Sequence, residues 1–422
     1  MKFNFLSLTL TLLILNQINL LKAQEAVMPN SQNAEVSIEN KDIEQKKPDI
    51  QGIVKFLAGI PQGGFYETLE KQPYWIAYHH LLDQRWATVT KDRLEPMKIW
   101  RDSYLKETQL PVFYPMGGPD VLNVLTFFPD SSEYILVGLE RIGTLTDWES
   151  LQKPNILMRV TDNLRQGLDS LFQRSFFITQ DMSRDFYERG VLPTLLVLLA
   201  RMNNEVKSVK FITYTSDGQI VDVTGDTVPQ GVEIVFQKID SQNTPQKLYY
   251  FRQNLHNQKI ESFAKFIKAR GKFAVMFKSS SYTPHQIGFS KLVNLVEETG
   301  DLIVQDDSGL PYSDLNKHWD VELYGMYLRP YGESFQSYYQ PHLAKLYQDE
   351  TYVKPLGFRI GYGYSKAPSS IQIARRKQEI SNQEATSENK QTTLQNKSVV
   401  PENKHISEEN VKNLHESTHF HH

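Results

Sequence analysis

The sequence predicts an α/β protein built on a mixed sheet, with parallel strands in its middle, an antiparallel hairpin section and helices on both faces. Three observations carry this. Apolar runs alternate regularly with amphipathic segments between Asn257 and Gln305. The runs "PVFYP" and "EYILVGLE" bracket a short helical stretch that starts after Pro119. Asp217-Gly218 lies between two alternating runs, a strong hairpin signal. Strand–helix–strand units of this length imply crossovers and parallel pairing, whereas the hairpin is antiparallel.

The N-terminus reads as an address rather than a fold. Lys2 precedes an apolar run from Phe3 to Leu15 that closes on "LLKA", with Leu21 and Ala23 at the cleavage signal. That is the layout of a secretory signal peptide over residues 1–23. Asn16, Gln17 and Asn19 cut the run well short of the roughly 20 residues that a bilayer span requires. Residues 24–50 lack aromatics and are rich in Asn, Gln, Glu and Lys, so they are expected to be a disordered tether. The globular domain is expected over 51–364, as one unit or two subdomains. Residues 365–422 turn polar again and are expected to be a disordered tail.

Inside the domain, "PVFYP" and "EYILVGLE" are strands. Leu157, Val160, Leu164, Leu168, Leu171 and Phe172 recur at helical spacing. "VLPTLLVLLARM" is uniformly apolar and reads as a buried helix with Pro193 in its first turn. "SVKFITYTSDGQIVDV" supplies the hairpin, and "GVEIVFQKI" and "QKLYYFRQ" two further strands. A helix over "NQKIESFAKFIKARG" ends at Gly271, and "KFAVMF" is a buried strand. "IGFSKLVNLVEETG" is another amphipathic helix, followed by the strand "DLIVQ". Phe335, Tyr338, Tyr339, Leu343, Leu346 and Tyr347 also follow helical spacing and are expected to pack mostly in the core. His79-His80, in an aromatic segment, reads as helix packing.

Composition excludes several chemistries. The chain has no cysteine, which rules out disulfides, thiolate catalysis and cysteine-based metal sites. A formal net charge of −3 gives no sign of a nucleic-acid partner. No cofactor and no specific metal site are expected. The terminal cluster His415, His419, His421 and His422 reads as adventitious metal capture at most.

Ligands of open α/β sheets bind beyond the carboxyl ends of the parallel strands. Those ends carry a consistent set here: Tyr114, Gly117, Gly118 and Asp120 after "VFY", and Glu140 after "YILVG". Ser279, Ser280, Ser281, Tyr282 and His285 follow "KFAVMF", and Asp306, Asp307 and Ser308 follow "DLIVQ". Asp306, Asp307 and His285 are the candidate catalytic groups, as paired carboxylates or as base and orienter to one of the serines. Tyr114, Gly117, Gly118, Asp120, Glu140, Ser280, Ser281, Tyr282 and Ser308 are candidate ligand-binding groups. The simpler alternatives are helix capping by Asp120, backbone satisfaction by the serines and a tight turn at "DDSG".

The strand–glycine turn–helix–strand–acid order from Phe113 to Glu140 resembles the first half of a Rossmann-like unit of the methyltransferase kind. That resemblance implies glycines approached by a ligand and a Glu140 that accepts ribose hydroxyls. "GGPD" lacks the spaced glycines of that pattern, and Pro119 removes a donor. Together, "YPMGGPD", "TFFPD", "VGLE", "SSSYTPH" and "QDDSGLPY" resemble a group of exported bacterial proteins of unassigned function. The expectation is therefore an exported, periplasmic or secreted protein that binds a small or carbohydrate-like ligand at a strand-end cleft. An enzyme (hydrolase or Rossmann-like transferase) and a non-catalytic envelope scaffold are the alternatives, with oligomeric state open.

Overall fold

The computed structural model describes residues 36–37, 48–177, 190–224, 227–239, 241–242, 244–366 and 369–378. The signal peptide expected over 1–23, most of the expected tether and the terminal histidines lie outside the described residues. Helix α1 (Ile50–Leu57) opens the domain, with Asp49 as N-cap accepting from the Gly52 amide. Helix α2 (Pro73–Val89) runs through a π-helical turn (Thr90–Leu94) into α3 (Glu95–Tyr104). Then come β1 (Val112–Tyr114), α4 (Val121–Phe127) and β2 (Glu133–Gly138). The long helix α5 (Pro154–Arg174) and the buried α6 (Leu192–Arg201) follow.

The antiparallel section comprises β3 (Asn204–Tyr214), β4 (Ile220–Asp222), β5 (Gly231–Lys238) and β6 (Gln246–Arg252). Next come α7 (Glu261–Lys268), β7 (Phe273–Phe277), α8 (Ser290–Thr299) and β8 (Gly300–Gln305). The described chain ends with α9 (Tyr312–His318), β9 (Trp319–Gly325), α10 (Pro341–Leu346), β10 (Val353–Lys354) and β11 (Ser370–Arg376).

One sheet holds these strands in the order β3-β5-β6-β2-β1-β7-β8-β11-β9-β10, with β4 on β3. The five strands β6, β2, β1, β7 and β8 are mutually parallel. β5 and β3 extend one side antiparallel, and β11 is antiparallel to both β8 and β9 on the other. The mixed sheet with parallel centre and antiparallel sections is as the sequence predicts.

Strand alternation divides the core by face. Val112, Tyr114, Tyr134, Leu136, Ala274 and Met276 join the α1–α6 side. Phe113, Ile135, Val137, Val275 and Phe277 meet Phe263 and Phe266 of α7 and Leu292 and Leu295 of α8. The chain leaves β1 through α4 on one face to reach β2, and leaves β7 through α8 on the opposite face to reach β8. Strand order therefore reverses between β1 and β7, the topological switch point of the sheet.

The expected domain end at Tyr364 is corrected by β11. This strand lies inside the sheet, pairing with seven residues of β9 from Trp319 to Gly325. Ile371, Gln372, Ile373 and Ala374 are buried. The segment alternates as a strand must, but its arginines and polar flanks gave it the composition of a tail. The compact unit continues to Lys377. A second correction concerns Phe335 to Tyr347. A 3₁₀ segment (Glu333–Tyr338) and the separate α10 replace the continuous helix, because Tyr339 is extended and Gln340, which precedes Pro341, is also non-helical. Tyr339 is exposed there, while Leu343 and Tyr347 are core. No helix among the described residues is long and apolar enough to cross a membrane.

Candidate functional site

The loop leaving β1 begins the site. Asp120 N-caps α4, its Oδ1 accepting from the Asn123 backbone N–H at 3.1 Å and side-chain amide at 2.8 Å. Tyr114, the last residue of β1, donates its hydroxyl to Asp120 Oδ2 at 3.0 Å. Burial, followed by the Asp120 charge, pushes the Tyr114 phenol well above its ordinary range. A Cβ on Gly117 would lie 2.6 Å from the Tyr114 ring, so this glycine makes room for the protein's own tyrosine rather than for a ligand. Gly118 is pinned by donating to the Val137 carbonyl.

Across the switch point, the residue after β7 is Lys278. Its Nζ lies 3.0 Å from Asp120 Oδ2, with side chains 4% and 1% exposed. The same Nζ donates to the Ser175 carbonyl at the end of α5. This buried ion pair joins the loops of β1 and β7, and the sequence reading missed its cation. The signal was there: a lysine directly after a fully buried strand and before three serines.

The loop after Lys278 is strained. Ser279, Ser281 and Tyr282 have φ of 51°, 54° and 53°, the left-handed region that non-glycine residues rarely enter. Asp306 holds this loop: Oδ2 accepts from the Ser279 N–H at 2.8 Å. Its Oδ1 accepts from the Ser308 N–H at 3.0 Å and the Ser308 hydroxyl at 2.5 Å. Ser280 donates its N–H to Ser308 Oγ and its hydroxyl to the Ser308 carbonyl. Ser281 donates its N–H to the Tyr362 hydroxyl. Of the three serines, only Ser279 has a buried hydroxyl without a partner.

Burial pushes the Asp306 carboxyl up, against the hydrogen bonds from Ser308 and Ser279 and the charge of Lys278. Asp307 accepts the Tyr282 hydroxyl at 2.5 Å. Burial, then the neighbouring Asp306 charge, raises Asp307 to about 7. Burial also pushes His285 down to about 4. Its ring packs edge-on against Tyr282 and Tyr338, and its Nε2 has no partner. No hydrogen bond joins His285 to Ser279, Ser280, Ser281, Asp306 or Asp307, so the nucleophile–base–orienter arrangement is not assembled. Among the described residues no three His, Asp or Glu side chains are placed to hold a metal ion.

Glu140 lies on the far side of the glycine turn. A Cβ on Gly138 would meet Glu140 Oε2 at 2.6 Å and the Gly118 Cα at 3.1 Å, so acid and turn are close neighbours. Its carboxylate nevertheless turns inward, accepting from the Leu139 N–H and the Tyr250 hydroxyl, and burial pushes it up. It forms no ion pair with Lys278. Beside the strained loop, Tyr338, Tyr282, Tyr362 and Tyr331 form a ladder of near-parallel rings. Successive centroids are 5.3, 6.3 and 4.5 Å apart. The density of tyrosines in the sequence is thus partly a packed stack rather than an open platform.

Of the residues expected at the strand ends, Tyr114 and Asp120 meet at Lys278, and Ser279–Tyr282, Asp306, Asp307 and Ser308 form the adjoining wall. Glu140 and His285 lie at the margins. Comparison with known proteins returns no matching family model, no matching curated protein and no matching solved structure. The arrangement can present one buried cation, one unpartnered hydroxyl and one carboxyl that titrates near neutrality.

Proposed function

We propose that this chain binds a small or carbohydrate-like molecule at the switch point between β1 and β7, against Lys278, Asp120 and the Ser279–Tyr282 loop. The observation that carries the reading is the buried Lys278–Asp120 pair at that switch point. A buried ion pair is poor value for stability alone, since an apolar pair of similar volume often does as well. The crevice at a strand-order reversal is where doubly wound sheets take ligands. Strain supports the same address, because local strain gathers at functional sites. Of six described non-glycine residues at positive φ, all but Asn203 lie in the loops leaving β1 and β7 or at Ser175.

The test is native mass spectrometry of the full chain purified from its own source. Wild type carries a small molecule, and Lys278→Met with Asp120→Asn loses it. Identical spectra from the two proteins would refute the reading. Turnover is a second reading, favoured by Asp307 at about 7, where a carboxyl can both give and take a proton. Asp307→Asn that keeps the ligand but stops its conversion supports an enzyme; loss of both indicates binding alone. Export rests on residues 1–23 as read in the sequence. N-terminal sequencing of the mature protein should begin at Gln24, and a retained Met1 would overturn it.

A further inference from the structure

A second buried cation stands beside this site and was not singled out by the sequence. Arg93 lies on the π-helical turn Thr90–Leu94 and is 0% exposed. π-turns inside helices are frequent at functional sites. Both terminal nitrogens of Arg93 donate to the Leu171 carbonyl at 3.1 Å, its Nε has no partner, and its guanidinium lies 5.0 Å from the Tyr364 ring centroid. No carboxylate pairs with it among the described residues. Burial pushes its guanidinium down to about 10, against the charges of Tyr364 and Asp120.

Arg93 and Lys278 thus share one feature. Each rests on a backbone carbonyl of the same helix end, Leu171 for Arg93 and Ser175 for Lys278. Lys278 has Asp120 as counter-charge, while Arg93 pairs with no carboxylate among the described residues. A guanidinium has five donors in a fork suited to paired anionic oxygens, and here a single neutral carbonyl takes both terminal groups. Leaving a fully buried cation uncompensated is costly, and an incoming anion removes that cost.

We propose that Arg93 and Lys278 together hold an anionic group of the ligand, a carboxylate or a phosphate, in the place now taken by the carbonyls ending α5. This rests on the switch-point reading and adds the chemical class. Arg93 is then a binding residue, not only a cap of α5.

The experiment measures the thermal midpoint of the full chain against rising inorganic phosphate and, separately, succinate, at ionic strength held constant with chloride. Wild type shows a saturable rise with one of the two, which identifies the anion. Arg93→Gln abolishes the rise, and the exposed control Lys317→Gln retains it. If Arg93→Gln does not fold, Arg93→Lys decides. It keeps the charge but loses the fork, so the half-saturating concentration rises about tenfold. No rise with either anion, or an unchanged half-saturation in the Arg93 variants, overturns the inference. A ligand still retained in native mass spectra would then leave the switch-point site standing. An Arg93-dependent rise that survives Lys278→Met with Asp120→Asn overturns the shared site.

Discussion

Lys278→Met tests the buried pair quantitatively. At 3.0 Å, with both side chains almost fully covered, the attraction is roughly 5 kcal/mol at an effective dielectric of about 20. Removing the cation leaves Asp120 buried, which typically costs about 3–5 kcal/mol. Asp120 keeps three donors, from Tyr114, the Asn123 backbone and the Asn123 amide. We therefore expect the lower end, about 3 kcal/mol, by urea unfolding at neutral pH. Asp120→Asn added to Lys278→Met removes the orphaned charge and retains a helix N-cap. The double variant should recover to within about 1 kcal/mol of wild type. A single variant that costs less than about 1 kcal/mol, or a double variant no better than the single, refutes the reasoning.

Other perturbations probe the same architecture. Asp307 is held at about 7 in the fold, against about 4 unfolded. The fold keeps a proton that the unfolded chain releases, so the Asp307 contribution to stability falls as pH rises from about 4 to about 7 and is level above. Asp307→Asn should remove that contribution, so its unfolding free energy gains on wild type as pH rises across that range; a difference between the two proteins that does not change with pH contradicts the assignment. His285 is pushed down to about 4, so its contribution is present above about pH 6.5 and lost as pH falls toward 4. Its nitrogen chemical shifts should report a neutral ring at about pH 5.5, and an imidazolium there would count against burial. Gly361 has φ of 58°, and an added Cβ would lie 2.7 Å from Asp306 Oδ2. Gly361→Ala should cost at least about 1–2 kcal/mol, and a silent substitution would mean the loop is looser than described. A chain ending at Tyr364 should fail to fold, whereas one ending at Gln378 should unfold like the full chain. Circular dichroism separates the two outcomes.

What was legible in the sequence was local. The β7–α8–β8 unit and the Asp217-Gly218 hairpin declare themselves within a few residues, through apolar periodicity and turn chemistry. β11 did not, because its burial comes from β8 and β9 on either side and its own ends are basic and polar. Strand-end logic found Tyr114, Asp120, the serine loop and the aspartates, since alternation fixes which residues leave a strand. It assigned Gly117 to a ligand when the Tyr114 ring occupies that space. Lys278 was passed over because its partner lies in another loop, and Arg93 because the carbonyl that holds it is 78 residues away. Neither spacing nor composition registers pairings that only the folded sheet creates.

The central claim is an address, and hydrogen–deuterium exchange reads addresses directly. The small-molecule fraction released from the purified protein is added back to the stripped full chain, and amide exchange is compared with and without it. Slowed exchange centred on the loop leaving β1, around Gly117 to Asn123, and on Lys278–Tyr282 is the expected result. Protection elsewhere in the sheet, or none at all, would contradict the switch-point site.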